Sequence, residues 1–220
     1  MEAVERKELE ELLSSVDLFK AREYFSEFEK LMAYYRCAIM EIETKFNVLN
    51  EEYSLLLDRN PINSIKSRLK RPISMKDKLE RRGIPLSVDS VEKNLNDVAG
   101  IRVICSFTED VYTIAEAFLK QDDITLLEIK DYIANPKPNG YRSLHLIVTV
   151  PIFLAKEKRM MKVEIQLRTI AMDFWASLEH QLRYKKDIDF TSEMEAELLE
   201  CAEIASELDK RMNKLRMQAI

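Results

Sequence analysis

The sequence predicts an α/β fold of the α+β kind, in which a five-stranded sheet is flanked by helices and extended by helices at both ends. Three observations predict it. Short β-branched segments recur between residues 62 and 168, they alternate with segments of helical periodicity, and long amphipathic stretches precede and follow them. The 220 residues are expected to divide into a helical extension over 1–60, a central domain over 61–186 and a C-terminal helix over 187–220.

Helical periodicity predicts that residues 1–60 are almost entirely helical. Leu9, Leu12 and Leu13 mark a short first helix. A longer helix begins near Lys20 and ends before Pro61. Its aromatic residues recur at helical spacing, which indicates a packing surface rather than a cofactor site.

The next segment contains the first three predicted strands and two helices. The strands cover 62–71, 97–107 and 124–131, and the helices cover 74–82 and 109–120. Pro72 is expected to end the first strand, and Ser74 to be the N-cap of the helix that Gly83 closes. Free backbone N–H groups at such a helix start, beside a basic loop, favour phosphate binding.

Two further strands are predicted at 143–150, where Pro151 would end the strand, and at 161–168. In the second of these, apolar and polar residues alternate strictly. A wholly polar face indicates either the lining of a cleft or the hydrated face of an antiparallel sheet. Taken alone, the pattern favours the hydrated face.

Two helices complete the predicted fold. The helix over 169–185 is expected to bury a stripe formed by Ile170, Phe174, Trp175, Leu178 and Leu182. The helix over 191–217 carries a heptad seam of Met194, Leu198, Cys201, Ala205, Leu208, Met212 and Leu215. A seam of that length predicts a partner helix, supplied by the N-terminal helices, by another subunit or by both.

Composition indicates a soluble globular protein, with 46% apolar and 33% charged residues. No stretch approaches the roughly 18 consecutive apolar residues of a membrane span, and the acidic start lacks the pattern of a secretion signal. Three widely spaced cysteines argue against a disulfide framework or a zinc cluster and favour a reducing cytoplasm. Three glycines are too few for a Walker or Rossmann loop.

Charge is distributed unevenly along the chain. The net charge of −5 argues against general nucleic-acid binding, yet residues 66–82 contain eight basic and two acidic side chains. A basic cluster in an acidic protein indicates a small polyanion such as a nucleotide. The alternative is a solvated helix face.

Residues 130–145 form the most distinctive segment. Pro136, Pro138 and Gly140 exclude a helix or a central strand, and the Asn-Gly pair favours a left-handed turn. A cation, an amide, an aromatic ring and further donors surround that turn, which suits a planar base with a phosphate tail. An ordinary hairpin turn with polar surface residues is the alternative.

Two carboxylates are placed where they could act together. Asp97 opens one predicted strand, and Glu164 lies on the polar face of another. If those strands are neighbours, the pair could hold Mg²⁺, which binds through one or two carboxylates plus substrate phosphates. With the basic cluster and the loop, this pair predicts phosphoryl-type transfer, in which catalysis rests on positioning and charge neutralisation.

Four motifs between residues 61 and 186 resemble the RelA/SpoT synthetase family, and more narrowly the small alarmone synthetases. They are Ser67-Arg68-Leu69-Lys70, Asp97-Val98-Ala99-Gly100-Ile101-Arg102, Pro138-Asn139-Gly140-Tyr141-Arg142-Ser143-Leu144-His145 and Glu164-Ile165-Gln166-Leu167-Arg168-Thr169. The resemblance implies a nucleotidyltransferase-like mixed sheet. It also implies a pyrophosphokinase of the stringent response, which moves the β,γ-pyrophosphate of ATP to the 3′-hydroxyl of GDP or GTP.

The resemblance also implies residue roles. ATP would be bound by Arg68, Lys70, Ser74, Lys78 and Arg102, with the two arginines sandwiching the adenine. Asp97 and Glu164 would be catalytic and hold Mg²⁺, and Glu164 would activate the attacking hydroxyl. The acceptor GDP or GTP would be bound by Lys137, Asn139, Tyr141, His145, Gln166 and Arg168, with Tyr141 stacking on the guanine.

Long members of that family also contain a hydrolase site built on a His-Asp pair, whereas this sequence has two histidines and no such pair. The expectation is therefore a synthetase without hydrolase activity, and small members suggest a homotetramer. Two rival interpretations stay open. The same site could use another acceptor, such as ATP or an RNA 3′ end, or the protein could be a non-catalytic nucleotide sensor or RNA-binding module.

Overall fold

The computed structural model describes residues 18–183 and 190–219. Six helices and five strands lie in these ranges. In chain order they are α1 (Leu18–Leu57), β1 (Ile62–Leu69), α2 (Pro72–Glu80), α3 (Val88–Asn94), β2 (Ala99–Cys105), α4 (Thr108–Leu119), β3 (Thr125–Asp131), β4 (Leu144–Phe153), β5 (Lys158–Thr169), α5 (Ile170–Arg183) and α6 (Ser192–Ala219). The predicted short helix around Leu9 lies outside the described residues.

The five strands form one sheet in the order β1-β2-β5-β4-β3. The β2–β5 pair is parallel, and the other three pairs are antiparallel. The sheet is therefore mixed, as expected, and β1 occupies one edge. Because β2 and β5 are neighbours, Glu164 of β5 lies beside β2, whereas Asp97, which was expected to open that strand, lies two residues before it.

One face of the sheet is covered by α1 and α4. Three aromatic residues of α1, Phe28, Tyr35 and Phe46, are almost fully buried. Phe46 stacks on Phe118 of α4 with ring centroids 4.6 Å apart. The interpretation of the α1 aromatic residues as packing surface is thus confirmed. The proposed division of the chain at residues 60 and 186 stays a prediction.

Two local expectations were wrong, and one helix was not predicted. Ser74 is not an N-cap, because α2 already begins at Pro72, whose fixed φ and missing N–H suit the first helical position. The short helix α3 was not predicted; its N-cap is Ser87, whose side chain accepts a hydrogen bond from Ser90 N. Pro151 does not end β4, which continues to Phe153. Pairing with β3 stops at Thr149, so the missing proline N–H costs no bond on that side.

The predicted buried stripe of α5 was also wrong in part. Ile170, Phe174, Leu178 and Leu182 are each at least 41% exposed, whereas Trp175 is buried together with the unpredicted Met172 and Ala176. Positions spaced by four form one ridge of the helix, and α5 packs against α6 with the neighbouring ridge. The Trp175 indole N–H donates to Leu198 O of α6 over 2.8 Å.

Helix α6 docks on the rest of the chain with one side and leaves most of its heptad seam uncovered. Ala202 is 3% exposed, while Leu208, Met212 and Leu215 of the seam remain 49–57% exposed. The partner helix expected for the seam is therefore not supplied by the N-terminal helix that the structure describes. Within the described ranges, no helix combines the length and apolarity needed to cross a membrane.

Candidate active site

A cleft opens on the face of the sheet opposite α1. Its lining comes from three neighbouring strands and consists of Lys66, Ser67, Arg68, Gly100, Ile101, Arg102, Glu164 and Gln166. The polar face of β5 therefore lines a cleft, and the hydrated-face interpretation was wrong.

Strand register explains why these residues meet. Lys66 pairs with Arg102, Arg102 with Gln166, and Gln166 with His145, so one row of side chains crosses four strands. Two residues along, Arg68 pairs with Gly100 and Gly100 with Glu164. Since side chains two apart on a strand share a face, both rows point into the same cleft.

The phosphate-binding candidates gather at one end of the cleft. Lys70 Nζ and Lys78 Nζ donate to the same carboxylate oxygen, Asp97 Oδ2, over 3.1 Å and 2.7 Å. Lys70 follows β1 and Lys78 lies on α2, so the turn between them brings both ammonium groups together. Ser74 lies half-buried in the first turn of α2 rather than at its cap. Two cations around one carboxylate leave a net positive charge for a polyphosphate.

Two properties of Asp97 suit it to bind a cation. Burial by itself raises the pKa of its carboxyl group, but hydrogen bonds and charge from Lys78 and Lys70 outweigh that effect and lower it below the ordinary range. The group is therefore ionised at neutral pH. In addition, its Oδ1 atom is buried and has no hydrogen-bond partner, so this oxygen can coordinate a cation.

Glu164 is also held in its ionised form. Burial raises its pKa, whereas the approach of His145 and a hydrogen bond from Gln166 lower it below the usual value. Gln166 Nε2 donates to Glu164 Oε2 over 3.0 Å, and His145 Nδ1 lies 3.6 Å from Glu164 Oε1. Among the described residues, no three His, Cys, Asp or Glu side chains form a metal cage. A Mg²⁺ ion at this pair would need substrate phosphates as further ligands.

The loop that follows β3 supplies the acceptor-side candidates. It is shaped by the bond from Gly140 N to Lys137 O, at 2.8 Å, and by the bond from Tyr141 N to Asn139 Oδ1, at 3.2 Å. Gly140 has a φ of +86°, the left-handed conformation that the Asn-Gly pair predicts. Asn139 Nδ2 also donates to Glu179 Oε1 of α5 over 3.3 Å, which fixes the loop against that helix.

A closed ring of polar side chains joins Tyr141 to Glu164. Arg168 donates to the Tyr141 hydroxyl over 3.0 Å and to Gln166 Oε1 over 2.6 Å, and Gln166 in turn holds Glu164. On the other side, the Tyr141 hydroxyl lies 2.8 Å from His145 Nε2. Since that hydroxyl accepts from Arg168, it is free to donate to Nε2, which places the imidazole hydrogen on Nδ1, facing Glu164.

Arg168 occupies a different position from the other acceptor-side candidates. Its side chain is only 2% exposed and lies beneath Tyr141, so it supports the wall of the cleft from behind. Burial lowers the pKa of its guanidinium group, partly offset by Tyr141 and Asp173. The remaining acceptor-side candidates lie at or beside the cleft.

Three residues of this region were not among the sequence-based candidates. Asp173 of α5 pairs with Lys66, Arg102 and Arg168. Tyr132 meets His145 edge-on at 5.2 Å, and the ammonium group of Lys137 lies 4.6 Å from the Tyr132 ring and 4.8 Å from the Tyr141 ring. A tyrosine just before a proline-rich loop is a weak signal for Tyr132; nothing in the sequence reveals the contacts of Asp173.

Arg142 is the third residue, and it ties the acceptor loop to α6. It donates to Gly140 O over 3.1 Å and to Ala202 O over 3.3 Å. A Cβ atom on Gly140 would lie 2.5 Å from the Cβ of Ala202. The loop can therefore approach α6 this closely only because residue 140 is glycine.

Comparison with known proteins gives a consistent result. Residues 67–189 match the family model described as the region found in RelA/SpoT proteins. The GTP pyrophosphokinase YwaC of Bacillus subtilis (strain 168) is 44% identical over 178 residues, which cover 81% of this chain and 85% of the relative. The GTP pyrophosphokinase YjbM of the same strain is 35% identical over 190 residues, or 86% of this chain and 89% of the relative.

Solved structures show the same likeness. Small alarmone synthetase 2 from Bacillus subtilis superposes with a TM-score of 0.79 at 41% identity, over 87% of this chain and 99% of that chain. Small alarmone synthetase 1 from Bacillus subtilis bound to its product pppGpp superposes with a TM-score of 0.79 at 34% identity, over 87% of this chain and 97% of that chain.

Proposed function

The chain belongs to the RelA/SpoT family, and we propose that it is a small alarmone synthetase that transfers the β,γ-pyrophosphate of ATP to the 3′-hydroxyl of GDP or GTP. The products are ppGpp or pppGpp and AMP. One observation carries the proposal: a cleft lined by Lys66, Arg68 and Arg102 also contains Glu164, whose carboxylate is linked through His145 to Tyr141 of the loop. The names of the relatives as GTP pyrophosphokinases support it.

We propose that the β1–β2–α2 side of the cleft binds ATP. Arg68 and Arg102 belong to adjacent strands and neighbouring rows, so their planar guanidinium groups can flank an adenine ring. Lys70 and Lys78, whose ammonium groups meet at Asp97, then bind the phosphates as point charges. Ser74, in the first turn of that helix, adds a hydroxyl donor.

On the opposite side, Tyr141 stacks on the guanine of the acceptor, and Lys137, Asn139 and His145 surround it. The exposed Lys137 ammonium rests against the tyrosine rings in this structure, and its long side chain can turn to the acceptor phosphates. Gln166 lies between Glu164 and Arg168 and orients both. Arg168, which is buried, contributes through Tyr141 rather than by contact with the nucleotide.

Glu164 takes the proton from the acceptor 3′-hydroxyl. The 3′-oxygen then forms a bond to the β-phosphorus of ATP, the bond from that phosphorus to the α–β bridging oxygen breaks, and AMP leaves with that oxygen. The lowered pKa of Glu164 keeps it ionised at neutral pH, so it is ready to accept the proton without prior deprotonation. The same shift makes it a weak base, so the neighbouring positive charges must lower the pKa of the hydroxyl as well.

Asp97 and Glu164 would hold a Mg²⁺ ion, since both are ionised and Asp97 Oδ1 has no partner. When bound, the ion would neutralise negative charge on the phosphates. The chain's own part is to keep both carboxylates ionised and to hold Glu164 on β5 beside β2, with Asp97 two residues before β2.

We further propose that the protein acts in the cytoplasm as a synthetase without hydrolase activity, since its two histidines lie in no His-Asp pair. It assembles as a homo-oligomer, and a tetramer is the form we expect. Exposed apolar residues on α5 and α6, such as Phe174 and Leu208, support assembly, because such surfaces commonly pack against a partner.

Leu208→Asp is expected to dissociate that oligomer. Leu208 is 53% exposed in the single chain, so the change should leave the monomer folded. Molar mass by light scattering, with circular dichroism as the control for folding, measures the outcome. A folded variant with the mass of the wild type would remove the α6 seam from the assembly model.

The decisive experiment follows label from γ-labelled ATP in the presence of Mg²⁺ and either GDP or GTP. Label on the guanine nucleotide, with release of AMP in equal amount, is expected. Incubation of the labelled product alone should release no pyrophosphate. Binding of both nucleotides without transfer would point instead to a different acceptor or to a nucleotide sensor.

A further inference from the structure

Asp173 is the one carboxylate in the described ranges that contacts cations on both sides of the cleft. Lys66 Nζ lies 3.2 Å from its Oδ2 atom, and Arg102 and Arg168 lie 3.3 Å and 3.5 Å from its Oδ1 atom. These cations come from three neighbouring strands, β1, β2 and β5. Asp173 itself lies in the first turn of α5, where the helix dipole favours a negative charge.

The three cations serve different substrates under the proposed function. Arg102 lines the ATP side of the cleft, and Lys66 is its cross-strand partner. Arg168 holds the hydroxyl of Tyr141, the residue proposed to stack on guanine. Asp173 therefore joins the adenine side to the guanine side through one buried carboxylate, whose side chain is 12% exposed.

The cations depend on that carboxylate to different degrees. Arg168 is 2% exposed and Arg102 is 33% exposed, and each has a buried Nε atom with no partner, so neither guanidinium group is fully satisfied. Lys66 is 59% exposed and can be solvated by water instead. Removing the Asp173 charge would leave Arg168 as a buried, uncompensated cation and would free Arg102 to turn.

We infer that Asp173 is a positioning residue for both nucleotide subsites: it orients Arg102 for the adenine and, through Arg168, Tyr141 for the guanine. This inference rests on the proposed function, because it assigns Arg102 and Tyr141 to ATP and to the acceptor. Asp173 itself needs to touch neither nucleotide.

The test compares Asp173→Asn with Asp110→Asn by calorimetric titration of a non-hydrolysable ATP analogue and, separately, of GDP. Asp110 is the matched control, since its side chain is 5% exposed and is held by Arg59 at 2.6 Å, away from the cleft. We expect Asp173→Asn to weaken both affinities by about tenfold, equivalent to about 1.4 kcal/mol each. Asp110→Asn should lower the melting temperature and leave both affinities within about twofold of the wild type.

A double-mutant cycle tests the path to the acceptor. Tyr141→Phe keeps the ring but removes the hydroxyl that Arg168 holds, so it should weaken GDP alone. In the double variant, the loss of binding free energy for GDP should be smaller than the sum of the losses in Tyr141→Phe and Asp173→Asn, because both changes break the same chain of contacts. Additive losses would overturn the path through Arg168.

The other outcomes are distinct. Unchanged affinities in Asp173→Asn, a loss for one nucleotide only, or an equal loss in Asp110→Asn would overturn the inference and leave the proposed function standing. A wild-type protein that binds neither nucleotide would overturn the proposed function, and the inference with it. If Asp173→Asn does not fold, Asp173→Glu, which keeps the charge but displaces it, should lower both affinities to a smaller extent, and unchanged values there would also overturn the inference.

Discussion

The two sides of the cleft are built in different ways. The side proposed to bind ATP consists of β1, β2 and α2, and its arginines, Arg68 and Arg102, occupy fixed positions in strand register. The side proposed to bind the acceptor is a loop with few backbone hydrogen bonds, such as Tyr132 N to Ser143 O at 3.0 Å and Lys137 N to Tyr141 O at 3.1 Å. Its shape depends instead on side chains: the polar ring around Arg168, and the contact of Gly140 with α6.

One half of the site is therefore held rigidly by the sheet, whereas the shape of the other half depends on contacts with neighbouring side chains. On the ATP side, the sheet holds the backbone, so substitutions should act mainly through charge. On the acceptor side, the backbone itself depends on its neighbours, so small changes in volume or hydrogen bonding should change acceptor binding. Glu164 belongs to both sides, because its strand is part of the sheet and its carboxylate is held by the ring.

The largest loss of activity is expected from substitution of Glu164. Glu164→Gln should lower kcat by about a thousandfold, since general-base catalysis contributes about 10²–10⁴-fold and a proposed cation ligand is lost as well. Glu128→Gln is the control, because Glu128 lies two strands away in the same row and is 44% exposed. Substantial turnover in folded Glu164→Gln would contradict the role assigned to this residue.

Tyr141→Ala should raise the KM for the acceptor and leave the KM for ATP nearly unchanged, which would separate the two sides. Stacking of a base on an aromatic ring is worth about 1–3 kcal/mol, so the rise should be about 5- to 150-fold. Tyr141→Phe, which keeps the ring but loses the hydroxyl, should raise the acceptor KM to a smaller extent. Steady-state kinetics in each substrate measures both constants, and an unchanged acceptor KM would place the guanine elsewhere.

Gly140→Ala tests whether the acceptor loop depends on its contact with α6. The added Cβ atom would lie 2.5 Å from the Cβ of Ala202, and the positive φ adds strain, so stability should fall by about 1–3 kcal/mol. The acceptor KM should rise with it. Gly83→Ala is the control, since it has a φ of +68° with no atom within 4 Å of the added Cβ.

Denaturant unfolding gives the free energies of unfolding for this pair. A second substitution, Ala202→Gly, should restore part of the stability of Gly140→Ala by removing the clashing methyl group. Equal losses in Gly140→Ala and Gly83→Ala would show that backbone strain, and not contact with α6, is what matters at residue 140.

The smallest expected effect is the pH dependence of stability that Asp97 contributes. The pKa of Asp97 is lower in the folded chain than the ordinary value, so its contribution to stability is fully present above about pH 4 and is lost as the pH falls through the folded pKa. Asp97→Asn removes that dependence. Melting temperatures measured from pH 6 to pH 3 should therefore converge for wild type and variant, and parallel curves would contradict the pairing with Lys70 and Lys78.

Much of this molecule could be predicted from the sequence, because its signals are local. Period-two alternation and β-branched residues identified all five strands, and a proline and an Asn-Gly pair identified the acceptor loop. The motifs around Arg68, Asp97, Tyr141 and Glu164 indicated the family that the comparisons then showed. The start of α2 at Pro72 and the continuation of β4 through Pro151 were misjudged. A proline can occupy the first position of a helix, and it can lie in a strand where the neighbour on one side has ended.

The sequence by itself determined the five strands and four of the eight residues that line the cleft, namely Arg68, Arg102, Glu164 and Gln166. Only the tertiary structure decided which ridge of α5 is buried, since that helix has two apolar ridges and the position of α6 selects one. It also decided the partners of Asp173, because ion pairs across three strands depend on sheet order and register, and neither is encoded by spacing along the chain. Residues distant in sequence become neighbours only when the whole sheet assembles.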